Sequence, residues 1–213
     1  MKHTVRALLV VVCLVGSTAI SYAGPIVNGG FEDPFCDISL GAGSPCQPGD
    51  NWGLFASIPG WVAVVGQIEI GDGDLYGITG FEGNQVLELD AVNNSVVGQV
   101  VAGPGTFVLS FLYADRNVPG NDIESFAVYW NSTLLATVVP LANPGNPAMQ
   151  LFTAVVTANA GNNTIGFVGL GTDNSLGALI DDVELTAVPD GGLTALLLGV
   201  GMIGLRFARR MVP

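Results

Sequence analysis

From residue 61 to 186 the chain alternates short apolar stretches with clusters of Gly, Pro, Asn and Asp. Strands are predicted over 61–65, 67–70, 85–90, 96–101, 106–113, 125–130, 133–139, 151–158, 163–169 and 178–186. Turn residues separate them at Gly103-Pro104-Gly105, Pro119-Gly120-Asn121-Asp122, Asn143-Pro144-Gly145-Asn146-Pro147 and Ala160-Gly161-Asn162-Asn163. Within the strands, positions two apart share a chemistry. Phe107, Leu109, Phe111 and Tyr113 fall on one face of 106–113; Phe152, Ala154, Val156 and Ala158 fall on one face of 151–158. Both sets are expected in a core. Short strands with such turns predict an all-β domain, a two-sheet sandwich of jelly-roll type.

The last predicted strand breaks its own pattern. Leu179, Asp181, Val183 and Leu185 share one face, while Ile180, Asp182, Glu184 and Thr186 share the other. Asp181 is therefore expected on the apolar side. Burying a lone carboxylate costs several kcal/mol or raises its pKa, so it needs a partner. Three are open: Arg116, backbone N–H donors, or a bound metal. With only carboxylates and carbonyls as ligands, the metal would be hard, and calcium suits it.

Charge narrows the functions. The chain has 213 residues, with 18 Asp+Glu, 6 Lys+Arg and one His, a formal net charge of −12. Five of the six basic residues lie at the ends: Lys2, Arg6, Arg206, Arg209 and Arg210. All 18 acidic residues lie between Glu32 and Asp190, so residues 24–190 carry −17 with Arg116 as their single cation. Such a surface repels phosphate backbones, which excludes nucleic acid as a partner. The same stretch has no His and no Lys. That removes His-based triads, His-ligated zinc, Schiff bases and a P-loop lysine. A glycosidase would need two carboxyl groups about 5–9.5 Å apart in a cleft. A small sandwich has little room for a cleft beside its core, so the domain is expected to be non-enzymatic.

The two ends read as transport labels. Lys2, His3 and Arg6 precede the apolar run 7–15, and Ser21-Tyr22-Ala23 offers a signal-peptidase site, so 1–23 is predicted to be a cleaved secretory signal helix. Cys36 and Cys46 remain as an even pair, which in an exported protein predicts one disulfide. The segment 188–213 opens with Val188, Pro189, Asp190, Gly191 and Gly192. An apolar run follows, and Arg206, Arg209 and Arg210 lie in the basic tail 206–213. Residues 191–208 as a helix would reach about 27 Å, enough to cross a bilayer, with the arginines left cytoplasmic. This tripartite ending resembles the PEP-CTERM class of bacterial sorting signals, in the variant whose motif reads VPDSG; Gly191 stands where that variant has Ser. The resemblance implies sorting by an exosortase-like membrane protease. It also implies an inner-membrane-anchored intermediate on the way to the cell surface or extracellular matrix.

Between the ends, a succession of motifs carries a second resemblance. It runs Asn28-Gly29-Gly30-Phe31-Glu32, Ile58-Pro59-Gly60-Trp61, Gln67-Ile68-Glu69-Ile70, Gly83-Asn84-Gln85-Val86-Leu87-Glu88-Leu89-Asp90, Val97-Gly98-Gln99-Val100, the stretch 104–111, and Ile180-Asp181-Asp182-Val183-Glu184-Leu185. Residues 24–187 resemble the galactose-binding-like jelly rolls of bacterial choice-of-anchor surface proteins. They are also similar to a plant cell-wall family with the same NGGFE and IPGW motifs. The resemblance implies polysaccharide binding and a structural calcium tying the first strand to the last. Carried onto this chain, the ligands would be Glu32 and Asp181, with Asn28 beside them; the alternative is that these carboxylates only accept backbone hydrogen bonds. The acidic run Gly71-Asp72-Gly73-Asp74 lacks the Glu that would close an EF-hand and reads as a turn.

Sugar-binding candidates are the aromatics Trp52, Phe55, Tyr76, Tyr113 and Trp130, with Asp115, Arg116 and Asn117 in the turn-rich segment 112–122. Trp61, in the Ile58-Pro59-Gly60-Trp61 motif, is expected to pack in the core or at a sheet edge. Arg116 has a competing role in an ion pair with Asp115, Asp122 or Glu124. The resulting expectation is an exported surface or matrix protein that binds polysaccharide. A purely structural spacer and a carboxylate-dependent glycoside hydrolase are the alternatives.

Overall fold

The computed structural model describes residues 26–36, 46, 51–116, 123–141 and 148–188. The expected signal 1–23, Asn117, Asp122, the motif residues Pro189, Asp190, Gly191 and Gly192, and the arginines Arg206, Arg209 and Arg210 lie outside the described residues. So do the expected turns at 119–122 and 143–147.

The described residues are all-β, with no helix. Their strands are β1 (Trp52–Phe55), β2 (Ser57–Ile58), β3 (Trp61–Val65), β4 (Ile68–Asp72), β5 (Gln85–Glu88), β6 (Val96–Ala114), β7 (Phe126–Trp130), β8 (Thr133–Val138), β9 (Gln150–Gly169) and β10 (Leu179–Ala187). They form one antiparallel sheet ordered β1-β4-β5-β10-β6-β9-β7-β8, with β3 pairing β6 and β2 pairing β3.

The expectation of two separate sheets is corrected by β6 and β9. Each was expected as two strands divided by a turn; each is one strand of 19 or 20 residues. The expected turns at Gly103-Pro104-Gly105 and at 160–163 lie opposite one another. Gly103 pairs with Gly161 and Gly105 with Ala158, with a register shift between them. Each turn sequence meets a matching irregularity on its partner, so the ladder bends instead of ending. The sheet therefore curls. One half holds β3, the start of β6, the end of β9, β7 and β8; the other holds β1, β4, β5, β10, the end of β6 and the start of β9.

The two halves face each other across an aromatic core. Phe111 of one half meets Phe167 of the other edge-on, with ring centroids 5.1 Å apart, and lies 6.1 Å from Phe126. Trp61 is fully buried between Phe31 and Phe167, as expected for a core residue, and its Nε1–H donates to Asn28 O at 2.9 Å. Leu109, Phe111, Val156 and Ala158 are buried, and Phe107, Tyr113 and Phe152 pack at the core's edge. β1 and β2 have too few residues to show alternation. Their pairing to β4 and β3 is set by tertiary contact.

β10 corrects the expected faces around Asp181. Ile180, Val183 and Leu185 reach the main core, whereas Leu179 belongs to a second small cluster with Tyr76, Ile78, Val86 and Ala114. The cause is a bulge between Asp181 and Glu184, with Asp182 at φ +47°. One extra residue flips the alternation, so Asp181 sits with Leu179 on the outer side of the sheet. It is still fully buried.

Candidate functional site

What covers Asp181 is the long connection between β4 and β5. Residues 73–84 fold across the outer face of the β4–β5–β10 half, and Tyr76 and Ile78 pack on Val86 and Leu179. Every residue of β5 is buried as a result. Strand alternation places Glu69 and Glu88 under this cover, directly opposite one another in register.

These two carboxyls share a buried polar network. Glu69 and Glu88 lie directly opposite in the β4–β5 ladder, close enough for each carboxyl to perturb the other. The Tyr76 hydroxyl donates to Glu69 Oε1 at 2.9 Å. Arg116 Nη1 donates to both Glu88 oxygens at 2.9 and 2.8 Å and to Ser175 O at 3.1 Å, and its guanidinium lies 4.9 Å over the Tyr76 ring. The Gly177 N–H donates to Glu88 Oε1 at 2.6 Å. Burial and the Glu69 charge push the Glu88 carboxyl up to about 9 against the pull of Arg116. Burial raises Glu69 as well. Two carboxyls with one cation between them hold a proton at neutral pH.

Arg116 therefore has a partner other than the expected Asp115, Asp122 or Glu124. Asp115 Oδ1 instead accepts the Glu124 N–H at 3.1 Å, and burial raises its pKa. Of the expected sugar-binding residues, Asn117 lies outside the described residues, and Trp130, Tyr113 and Tyr76 are engaged in packing. Trp130 is buried in the core, its Nε1–H donating to Thr157 O at 2.9 Å. Tyr113 packs edge-on against Phe111 and Phe126. Tyr76 is buried over Glu69.

Glu32 and Asp181 meet the same loop from two sides. Glu32 Oε1 accepts the N–H groups of Asn84 and Gln85 at 2.6 and 2.8 Å. Asp181 accepts from the Glu82 N–H at 2.6 Å and the Asp182 N–H at 2.7 Å. Asn28 closes a turn with Asp33, accepting its N–H at 3.1 Å and donating to its carbonyl at 2.6 Å. Burial pushes Asp181 up to about 8, and the neighbouring Asp182 and Glu82 charges add to the rise. Among the described residues no three His, Cys, Asp or Glu side chains group as a metal site. Gln85, fully buried, donates to the carbonyls of Phe31 and Pro34 and accepts from the Cys36 N–H. The expected Cys36–Cys46 disulfide is present, with Cα atoms 5.4 Å apart.

No described segment covers the outer face of the other half. Here Val62, Gly98, Gly166 and Tyr129 stand side by side on β3, β6, β9 and β7. Two adjacent glycines leave a trough between an apolar wall at Val62 and an aromatic wall at Tyr129. The slot measures about 590 Å³, and Val64, Val96, Val100 and Val168 add to its lining. Among the described residues no charged side chain lines it. Val62, Val64 and Val100 are exposed. Sequence reasoning missed this slot, because alternation reads Val96, Gly98 and Val100 as ordinary strand positions. It missed Glu69 and Glu88 too: a Glu between two apolar residues reads as a solvent-facing position.

No protein-family model matches the chain. It is 32% identical over 132 residues to a multifunctional-autoprocessing repeats-in-toxin protein of Vibrio cholerae serotype O1, a match over 60% of this chain and 3% of that protein. The chain thus spans about 3% of the length of that relative. Among solved structures, a Stig cyclase from Fischerella sp. TAU superposes with a TM-score of 0.50 at 16% identity, over 78% of this chain and 97% of the cyclase. At that identity the likeness is one of fold. A CBM35 domain from Paenibacillus barcinonensis has a TM-score of 0.41 at 20% identity, over 64% of this chain and 98% of that one.

Proposed function

We propose that the chain is an exported, non-enzymatic protein whose β-domain binds polysaccharide through the outer face of the β3–β6–β9–β7 half. The observation that carries this reading is the 590 Å³ slot, a volume in the range of small-ligand sites. Tyr129 supplies an aromatic wall on which a ligand ring can stack. The motif succession from Asn28 to Leu185 supports carbohydrate as the ligand class. The formal charge of −17 over residues 24–190 favours a neutral glycan over an anionic one.

The geometry of the acidic pair supports a non-catalytic role. Glu69 and Glu88 face one another, buried beneath residues 73–84, so no sugar reaches the pair. The ends support export: a signal over 1–23, a PEP-CTERM-like tail, signal peptidase and an exosortase-like protease as partners, and the cell surface or matrix as destination. Intact mass of the exported protein tests this. Loss of 1–23 and cleavage near Pro189 is the expected result; retention of Arg209 and Arg210 would leave the chain anchored by its helix.

A structural calcium held by Glu32 and Asp181, with Asn28 beside them, belongs to the same proposal. Its support is chemical: hard oxygen donors, and a buried Asp181 in a domain whose single Arg is engaged by Glu88. With two carboxylates, the remaining ligands would be backbone carbonyls and water. Addition of calcium is expected to raise the melting temperature, and a chelator to lower it. A melting temperature unchanged by both rejects calcium. Polysaccharide binding is tested by affinity electrophoresis against a panel of neutral and anionic glycans. The expected result is retardation by a neutral glycan, lost in Tyr129→Ala. Failure with every glycan sinks the carbohydrate reading.

A further inference from the structure

The slot has two unlike ends. Beyond the central row of Val62, Gly98, Gly166 and Tyr129, one end is walled by Val96 and Val168, paired in register. The other end pairs Val100 with Thr164, beside Asn131. A pyranose carries hydroxyls around its whole rim. Stacked on Tyr129 at the mouth of the slot, a sugar keeps those hydroxyls in water; sunk to the glycine floor between Val62 and Tyr129, it would lose that water and gain no partner. The nearby amides are already engaged. Gln99 holds the N–H and carbonyl of Val27. Asn131 accepts the Thr164 N–H at 2.9 Å and donates to Asn163 Oδ1 at 3.3 Å.

We infer that the slot holds an uncharged apolar substituent carried by a sugar, an acyl, alkyl or aryl group, with the sugar itself at the Thr164 end. The inference rests on the carbohydrate reading above and names the part of the ligand that this face selects. Apolar walls and a glycine floor favour a group that gains by leaving water. No described lining residue is a cation, and the single Arg of residues 24–190 is held by Glu88, so a domain of −17 disfavours a carboxylate-bearing ligand such as a free fatty acid. The same charge opposes a second copy of this chain as the occupant.

The probes are p-nitrophenyl β-D-glucoside, methyl β-D-glucoside and p-nitrobenzoate, titrated calorimetrically into the full chain held in lipid nanodiscs. The aryl glucoside is expected to bind at least ten-fold more tightly than either of the others. Gly166→Val fills the slot and should remove that preference. A Cβ at Gly166 meets nothing closer than 3.9 Å, so the variant is expected to fold, with its melting temperature as the check. Val96→Thr, which keeps the shape and changes only polarity, should weaken aryl-glucoside binding several-fold. Equal binding of the methyl and aryl glucosides, or a preference that survives both variants, overturns the inference while the carbohydrate reading stands. No binding of any glycoside, together with no polysaccharide binding, overturns both. Two further outcomes also overturn it: a dimer that Gly166→Val disperses would assign the slot to a second copy, and binding only after removal of residues beyond 188 would assign it to the chain's own apolar run.

Discussion

The outer face of the β4–β5–β10 half and the outer face of the β3–β6–β9–β7 half begin from similar strand chemistry. In each, the alternate set of side chains fills the shared core, and the remaining set points away from it. The first face places Glu69, Glu88 and Asp181 there, and the chain lays residues 73–84 over them. The second places valines and two glycines there, and no described segment covers them. The acidic face is thus buried and the apolar face open, the reverse of what polarity alone would dictate. The difference teaches that burial here follows the length of a connection. Residues 73–84 are long enough to cross a face, and once they do, each polar group beneath must find a partner. Arg116, Tyr76 and Gly177 are the partners of the two glutamates, and the Glu82 and Asp182 N–H groups those of Asp181.

The comparison breaks most severely at Arg116. Arg116→Ala leaves the fully buried Glu88 without its cation, and losing one member of a buried pair costs about 3–5 kcal/mol. Chemical denaturation should show that loss, and Glu88→Gln in the same background should restore part of it. A loss below about 1 kcal/mol would mean that the network contributes little.

The disulfide is next. It ties residue 36, whose N–H is held by Gln85 at the base of the covered face, to residue 46. Its removal by Cys36→Ala with Cys46→Ala is expected to cost about 2–3 kcal/mol for a loop of this length. Unchanged unfolding midpoints under reducing and oxidising conditions would contradict that.

The acidic pair also sets a pH dependence. The Glu88 carboxyl is raised from 4.5 to about 9, so the folded state keeps a proton that the unfolded chain releases. That contribution is complete below pH 4.5 and is lost as pH rises to about 9, at no more than about 1.4 kcal/mol per pH unit for one retained proton. Thermal melts should therefore fall across this window. Glu69→Gln removes the neighbouring charge and should flatten the fall. A melting temperature that rises from pH 5 to 9 would show that the pair is fully ionised.

On the outer face of the β3–β6–β9–β7 half the smallest effect is expected. Gly166→Val should leave stability within about 0.5 kcal/mol, since exposed strand positions tolerate substitution. A loss beyond 2 kcal/mol would show that the face is covered in the native protein.

Alternation alone made the core legible. Leu109, Phe111, Val156 and Ala158 needed only a period of two, and Trp61 was readable as a packed residue of its Ile58-Pro59-Gly60-Trp61 motif. Buried Asp181 was legible too, but its face was not. The bulge at Asp182 depends on how β10 meets β6, and a one-residue shift exchanges every face beyond it. Glu69 and Glu88 were readable as strand residues and unreadable as a pair, since only the β4–β5 register sets them opposite each other. Trp130 read as a ligand platform, and Tyr113 as both core residue and platform, because an aromatic's exposure cannot be read from its neighbours in sequence.

By itself the sequence determined the all-β class, the core-facing strand positions, the pairing of Cys36 with Cys46 and the concentration of acid over 24–190. These depend on local periodicity, composition and parity, which need no knowledge of distant contacts. Only the tertiary structure decided that β6 and β9 bend without breaking, that Arg116 serves Glu88, and that Gly98 and Gly166 lie side by side to open a slot. Each depends on register between strands far apart in the chain, and register is set by the packing of the whole sheet.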